Sequence, residues 1–430
     1  MKPAFCLLNL LSILNVVFAM VNPIEVRNRH FFDSVTDQPF FIKGVDYQPG
    51  GSSGVNDFWD PLSDTQACAR DISIFQQLGI NTIRVYSINP SLNHDKCMTM
   101  LAAAGIYLVL DVNSPKEGQH LNRYDPWTTY NPEYLTHVFS VVQEFSGYNN
   151  TLAFFAGNEI VNDKVSASAS PIYVKAVVRD MKDYIAHHSP RTIPVGYSAA
   201  DDLSYRISLA DYMECYQYSP SEAVDFYGVN TYQWCGDATF FTSGYNILVQ
   251  DYSHYSKPIF FSEYGCNEVR PRQFKEMGSI YSTQMSGVFS GGLVYEYAQE
   301  ANNYGLVDFD EKGNVYLLPD FFTFKSMMAK SVDPPIPKSA LVSQSSRSSS
   351  ARGGRAQNTQ KACGTHYDNL DISKGVPKSL GTALILKGVN ATKGSYVSLS
   401  EQDLVSSYSI FKPDGALLRS TSVKKKEEFS

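Results

Sequence analysis

Eight short apolar runs recur at regular intervals between about residue 40 and residue 330. They are FFIKGVDYQ (40–48), NTIRVYSI (81–88), GIYLVLDVN (105–113), LAFFAGNE (152–159), TIPVGYS (192–198), FYGVNTY (226–232), KPIFFSEYG (257–265) and GGLVYEYA (291–298). Runs this oily, without alternation of polar and apolar residues, read as strands buried on both faces. The stretches between them carry helical spacing. Thr65–Leu78 sets Ala69, Ile72, Phe75 and Gln76 along one side, and the helix to Phe145 begins Asn131-Pro132-Glu133, an N-cap followed by a first-turn proline. Pro171–His188 reads as a long amphipathic helix. Strand, helix, strand, repeated eight times, implies parallel strands joined by crossover helices. The spacing predicts a (β/α)8 TIM barrel, with an open doubly wound sheet as the alternative.

The remainder of the chain reads differently. Lys2, the apolar stretch CLLNLLSILNVVF and the small-x-small site Val17-Phe18-Ala19 make residues 1–19 a signal peptide, or failing that a short membrane anchor. The barrel is expected over 20–332. A Pro-, Ser-, Gly- and Arg-rich linker follows over 333–362, too poor in apolar residues to fold, and then a tail over 363–430 to which no fold is assigned. The net charge of −7 leaves no electrostatic footprint for nucleic acid. Removal of Cys6 with the signal leaves six cysteines (68, 97, 215, 235, 266 and 363), an even number suited to an oxidising compartment and up to three disulfides. No CxxC pair, HExxH or other metal-ligand spacing occurs, so neither a metal nor a cofactor is expected. Asn149 and Asn390 each begin a glycosylation triplet.

Barrel active sites lie at the C-terminal ends of the strands. The polar residues there are Asp46, Tyr47 and Gln48, Arg84 and Tyr86, Asp111 and Asn113, Asn158 and Glu159, Asn230 and Tyr232, Glu263 and Tyr264, and Tyr295, Glu296 and Tyr297. Strands four and seven thus end in carboxylates that face each other across the mouth. Paired acids flanking a bond suit glycoside cleavage: one protonates the leaving oxygen, while the other attacks the anomeric carbon or activates water. Asn158 is placed to hydrogen-bond a sugar 2-hydroxyl, and Tyr232 to orient the attacking acid. Asp46, Asp111 and Glu296 read as supporting hydrogen-bonders, and Arg84 as a carboxylate holder or a structural residue. The loop PGGSSG lacks the GxGxxG and Gly-Lys-Ser/Thr patterns of phosphate binders, and no serine sits in a GxSxG elbow.

The stretches FFIKGVDYQPGG, NTIRVYSINP, LVLDVN, FFAGNEI, YGVNTYQWCG, FFSEYGCN and YEYAQEANNYGLV resemble the fungal β-1,3-glucanosyltransferases of the Gas/Gel/Phr group, glycoside hydrolase family 72. The resemblance covers about residues 24 to 330. It implies a retaining mechanism with Glu159 as acid/base and Glu263 as nucleophile, and a sugar groove lined by Gln48, Tyr86, Asp111, Asn158, Tyr232, Tyr295 and Tyr304. It implies that a β-1,3-glucan donor is cut internally and its new reducing end passed to a second, acceptor glucan, lengthening glucan for the wall. The disulfides it implies are Cys68–Cys97, Cys235–Cys266 and Cys215 to a cysteine beyond the barrel, for which Cys363 is available. Many members of the group end in a GPI-anchor signal. Here ALLRSTSVKKKEEFS carries no hydrophobic tail, so the expectation is a secreted or wall-trapped monomer. Hydrolysis on the same scaffold, and glucan binding without catalysis, stay open as alternatives.

Overall fold

The computed structural model describes residues 21–336, 361–418 and 422–426. The expected signal peptide, most of the expected linker and residues 427–430 lie outside the described residues. The eight predicted strands form β1 (Ile42–Asp46), β2 (Thr82–Val85), β3 (Tyr107–Asp111), β4 (Thr151–Asn158), β5 (Val195–Ala200), β6 (Phe226–Asn230), β7 (Ile259–Tyr264) and β8 (Phe289–Val294). They close into one parallel barrel in sequence order, with β8 paired to β1 through Gly291 to Ile42.

The connecting helices start where local chemistry dictates. Asp64 caps Thr65–Leu78 by accepting from Gln66 and Ala67 backbone N–H groups, and Asn131 caps Pro132–Phe145 by accepting from Tyr134 N–H. Gly79 ends the first of these in a left-handed conformation (φ 75°).

The N-terminal end of the barrel is stoppered. Residues Ile24–Arg27, His30–Asp33 and Pro39–Phe40 form a small antiparallel sheet that inserts Phe31 into the lumen, 6.0 Å from both Phe226 and Phe260. Phe155 completes the cluster, 5.2 Å from Phe226 and 5.9 Å from Phe260. Each such aromatic pair adds about 0.5–1.5 kcal/mol beyond its buried area. The apolar plug leaves only the opposite end of the lumen for polar chemistry.

Residues 361–426 run as a strap over the outside of the barrel where the structure describes them. Lys361–Ala362 pairs with Cys215–Tyr216 in a two-stranded parallel ladder beside the Cys215–Cys363 disulfide. The short helix Thr382–Lys387 packs on Pro171–His188, where His188 and the Ile385 carbonyl lie 2.7 Å apart. Gly394 N–H donates to the Glu144 carbonyl, and any side chain at Gly394 would collide with the Tyr148 hydroxyl. Ile410–Phe411 then adds to the strand Val315–Leu317, and Lys426 N–H reaches the Ala103 carbonyl. The tail read as unassignable because its partners are the barrel's own helices: its few apolar residues have no core except that surface.

Two further disulfides, Cys68–Cys97 and Cys235–Cys266, span 29 and 31 residues. The Cys215–Cys363 bridge spans 148. A cross-link over a loop of that length stabilises by at most roughly 5 kcal/mol through the unfolded state. The double variant C215S/C363S should therefore melt at a lower temperature. Its tail should be cut by protease at a concentration that leaves the barrel intact, as read by mass spectrometry of the fragments; a tail equally resistant in both proteins would show that the bridge does not secure it.

Candidate active site

Above the phenylalanine plug the lumen holds a single guanidinium. Arg84, on β2, has no exposed surface. Its plane lies 4.7 Å above the Phe155 ring and 4.2 Å from the Tyr86 ring. Arg84 Nε and Nη2 donate to the two oxygens of Asp111 (2.8 and 3.1 Å), and Nη1 donates to the Ser262 carbonyl (3.1 Å) and Glu263 Oε1 (3.3 Å). Burial opposes the guanidinium's charge, but Asp111, Tyr86 and Asp46 outweigh it and hold Arg84 firmly cationic.

Glu263, near the end of β7, receives two more donors. Tyr86 hydroxyl donates to Oε1 (2.8 Å) and Tyr232 hydroxyl to Oε2 (2.7 Å). Burial pushes the Glu263 carboxyl above its ordinary value and neighbouring Glu159 adds to this, while Arg84, Tyr232 and Tyr86 pull it down. The balance leaves the carboxyl above its ordinary value, with burial the largest influence and Arg84, Tyr232 and Tyr86 the groups that favour its ionised form.

Glu159 is held by different means. It follows the last residue of β4 with φ 47°, in the left-handed region that non-glycine residues seldom occupy. Its N–H donates to the Ser198 carbonyl on β5 (2.9 Å), so the strand turns sharply outward as it leaves the barrel. Gly157 permits the turn: a Cβ there would stand 2.3 Å from the Ile160 side chain that folds back over it. The one side-chain donor to Glu159 is Asn230 Nδ2, 2.8 Å from Oε1, which also reaches Asn158 Oδ1 at 3.0 Å. Asn230 is itself fixed, because Ser198 and Ser262 hydroxyls both donate to its Oδ1 (3.0 and 2.7 Å).

Glu159 and Glu263 line one cavity of about 320 Å³ together with Gln48, Tyr86, Asn158 and Tyr295. Cavities adjoin it on both sides. One of about 670 Å³ shares Ser52, Tyr86 and Asn158 with it and continues past Asp111. The other, about 450 Å³, shares Glu159 and runs past Asn230, Tyr232 and Asp201. The carboxylate pair thus stands midway along an open cleft. Tyr295 lines its centre and Tyr232 the smaller arm, while Tyr304 stands behind them and lines none of the three cavities: the Tyr295 ring lies 5.2 Å from Tyr304 and 6.3 Å from Tyr232, and Tyr304 lies 5.6 Å from Tyr232.

Not every predicted residue presents its polar atoms to the cleft. Gln48 lines the centre, but its Oε1 accepts from Tyr86 and Ser87 N–H groups and its Nε2 donates to the Ser87 carbonyl. Asp111 borders the larger arm with both oxygens on Arg84. Asp46 differs from the supporting hydrogen-bonder expected of it. It is wholly buried with neither side-chain oxygen hydrogen-bonded, and burial beside Glu263, Asp111 and Glu296 holds it well above the carboxylate range. Glu296 accepts from Asn302 (3.1 Å), and burial raises it to about 7. Among the described residues, the one group of possible metal ligands is Cys235, Cys266 and Glu268, whose cysteines are joined to each other.

Two contributors were not singled out from sequence. Asn230 appeared only as one polar strand end among many, yet it bridges both members of the Asn158-Glu159 pair. Arg272 lies in an irregular segment without periodicity; it donates to the carbonyls of Tyr295 (2.7 Å) and Tyr304 (2.5 Å) and pairs with Asp320 (2.7 Å), fixing the loop that carries those rings.

A closed (β/α)8 barrel with two carboxylates across its C-terminal mouth, set in a two-armed cleft, defines an enzyme of glycosidic-bond chemistry. The sequence model of the glucanosyltransferases, glycoside hydrolase family 72, matches residues 13–332, and the chain belongs to that family. It is 57% identical over 398 residues to the 1,3-beta-glucanosyltransferase GAS4 of Saccharomyces cerevisiae, covering 92% of this chain and 82% of that one. Identity to the 1,3-beta-glucanosyltransferase gel2 of Aspergillus fumigatus is 46% over 385 residues, covering 89% and 79% of the two chains. The structure of Saccharomyces cerevisiae Gas2p in complex with laminaritriose and laminaritetraose superposes with a TM-score of 0.74 at 37% identity, over 85% of this chain and 79% of that one.

The geometry predicts a pH effect. If Glu263 is the attacking carboxylate it must be ionised, and kcat/KM then falls as pH drops through its pKa. Tyr232→Phe removes a donor to the carboxylate and leaves burial unopposed there, which raises that pKa. The acid limb should therefore move to higher pH by about one unit, the size expected for one lost hydrogen bond to a charged group. An acid limb that stays in place or moves down would remove Tyr232 from this role.

Proposed function

We infer that the chain is a retaining 1,3-β-glucanosyltransferase. The observation that carries this reading is the unequal support of two carboxylates in one cleft. Glu263 takes three donors, one of them the Arg84 guanidinium, whereas among the described residues Glu159 takes one side-chain donor, the neutral Asn230 amide. In the first step the Glu263 carboxylate bonds to the anomeric carbon while Glu159 gives its proton to the departing glycosidic oxygen. The donor's non-reducing portion is then held as a glycosyl ester. In the second step Glu159 takes the proton of an acceptor hydroxyl, whose oxygen displaces Glu263 and restores the original configuration. Asn158 contacts the 2-hydroxyl of the reacting sugar, and Tyr232 and Tyr295 offer ring faces to neighbouring units.

The two arms favour transfer over hydrolysis, since a cleft open on both sides of the pair can hold a second glucan where water would otherwise act. The names of the relatives and the laminari-oligosaccharides bound by Gas2p support β-1,3-glucan as both donor and acceptor. Export through the residue 1–19 signal and action on wall glucan complete the reading. Among the described residues no helix is long and apolar enough to cross a membrane.

The test is product length. Mature protein incubated with one reduced-end laminari-oligosaccharide should yield products longer than the starting sugar, resolved by chromatography. Glu159→Gln should lower the rate by about 10²–10⁴-fold, and Glu263→Gln should abolish turnover while oligosaccharide binding persists. Products that are only shorter would make the enzyme a hydrolase. Full activity in Glu263→Gln would remove the nucleophile assignment.

A further inference from the structure

We propose that Tyr124 is a stacking platform for a distal glucosyl unit of the donor and so sets how strongly the enzyme prefers long donors; this rests on the glucanosyltransferase reading above. Of the three cavities that make up the cleft, the larger arm, about 670 Å³, is walled by the segment 113–124. Its volume is that of a site for an entire ligand of several rings, well beyond what one hexose fills. Tyr124 stands in that wall 45% exposed, the one exposed aromatic among the described lining residues of the three cavities.

An exposed aromatic on a loose loop would carry little weight, but this one is fastened at both ends. Its hydroxyl donates to Asp163 Oδ2 (2.9 Å), and Asp163 also caps the helix Lys164–Ala169 by accepting from Ser166 N–H. Its backbone N–H donates to Asn122 Oδ1 (3.0 Å), Asn122 N–H donates to Thr129 Oγ1 (2.8 Å), and Ser170 hydroxyl holds the neighbouring Arg123 carbonyl (2.6 Å). With the hydroxyl spent on the protein, what remains for a ligand is the ring face, the surface that packs on the C–H face of a pyranose. The other exposed aromatics differ. Phe58, Trp127, Tyr218, Phe241, Tyr316 and Phe322 line none of the three cavities, and Trp127 has the Lys374 ammonium of the tail 5.7 Å from its ring centre.

The arm's place in the reaction follows from its inner end. It shares with the catalytic cavity Asn158, read above as meeting the 2-hydroxyl of the reacting sugar and not among the described lining residues of the opposite arm, whereas donors to Glu263 stand on both sides, Tyr86 here and Tyr232 there. The opposite arm begins at Glu159, which serves the departing oxygen. The sugar attacked by Glu263 therefore sits at the start of the Tyr124 arm, and donor units on its non-reducing side extend outward toward the ring.

The experiment compares initial rates on laminari-oligosaccharides of increasing length for the wild type, Tyr124→Ala and Tyr124→Phe. An aromatic contact of this kind amounts to up to about tenfold in affinity. Tyr124→Ala should shrink the ratio of kcat/KM for long over short donors by about that factor, through KM, while Tyr124→Phe, which keeps the ring, retains most of the ratio. The proposal is overturned if the ratio is unchanged in Tyr124→Ala, if Tyr124→Phe loses as much as Tyr124→Ala, or if the loss follows acceptor length at fixed donor. A wild type inactive on every length would instead sink the glucan reading, and this proposal with it.

Discussion

The site depends on one buried cation. Arg84 has the phenylalanine plug beneath it, Asp111 beside it and Glu263 above it. A guanidinium without exposed surface persists only if anionic partners and hydrogen bonds replace its water. Asp111 supplies the two-pronged partner that fits the planar fork, leaving the remaining edge for Glu263 and the Ser262 carbonyl. Lysine, a point charge on a flexible stem, matches neither the fork nor the stacking between Phe155 and Tyr86. The apolar lower lumen, the salt bridge and Glu263 are thus one stacked unit, and the charge that acts on Glu263 is held in place by the Phe155 and Tyr86 rings and by Asp111.

The second carboxylate is tied to the first through neutral groups. Ser198 on β5 and Ser262 on β7 both point hydroxyls at Asn230 on β6, whose amide then faces Glu159 beyond the end of β4. Four adjacent strands therefore share one hydrogen-bond path, in which register shifts just before Asn158 and Asn230 set these residues opposite Ser198 and Glu263. Among the described residues the side-chain donor that reaches Glu159 is thus a neutral amide, whereas Glu263 faces a guanidinium. Two residues of the same type thereby acquire different work from their surroundings.

Much of this was legible in the chain. Fully buried parallel strands leave continuous apolar runs, and those runs located all eight barrel strands because nothing else in the sequence competes with that signal. The polar residues closing the runs at Glu159 and Glu263 were equally visible, since polarity at the end of such a strand has few uses besides the mouth of a barrel. The motifs shared with the glucanosyltransferases added their roles. What could not be read is what depends on a third dimension. Asp46 and Asp111 end neighbouring strands alike, yet one is a bidentate ion-pair partner and the other an unpaired buried acid. Tyr47 and Tyr297, next to site residues, turn outward to bond Asp71 among the helices. Arg272 and the strap act across long sequence separations from segments with no period of their own.

The strap also orders events in time. The Cys68–Cys97 and Cys235–Cys266 bridges close short loops within single stretches of the barrel, so each can form while the chain is still emerging. The strap's partners are scattered from Gln66 to Tyr316, and its docking surface does not exist until the helices are seated around a closed barrel. Closing a loop of 148 residues before that point carries a larger entropic penalty with no contacts to offset it. The Cys215–Cys363 bond therefore has the largest closure penalty of the three and gains most from a barrel already assembled beneath the strap.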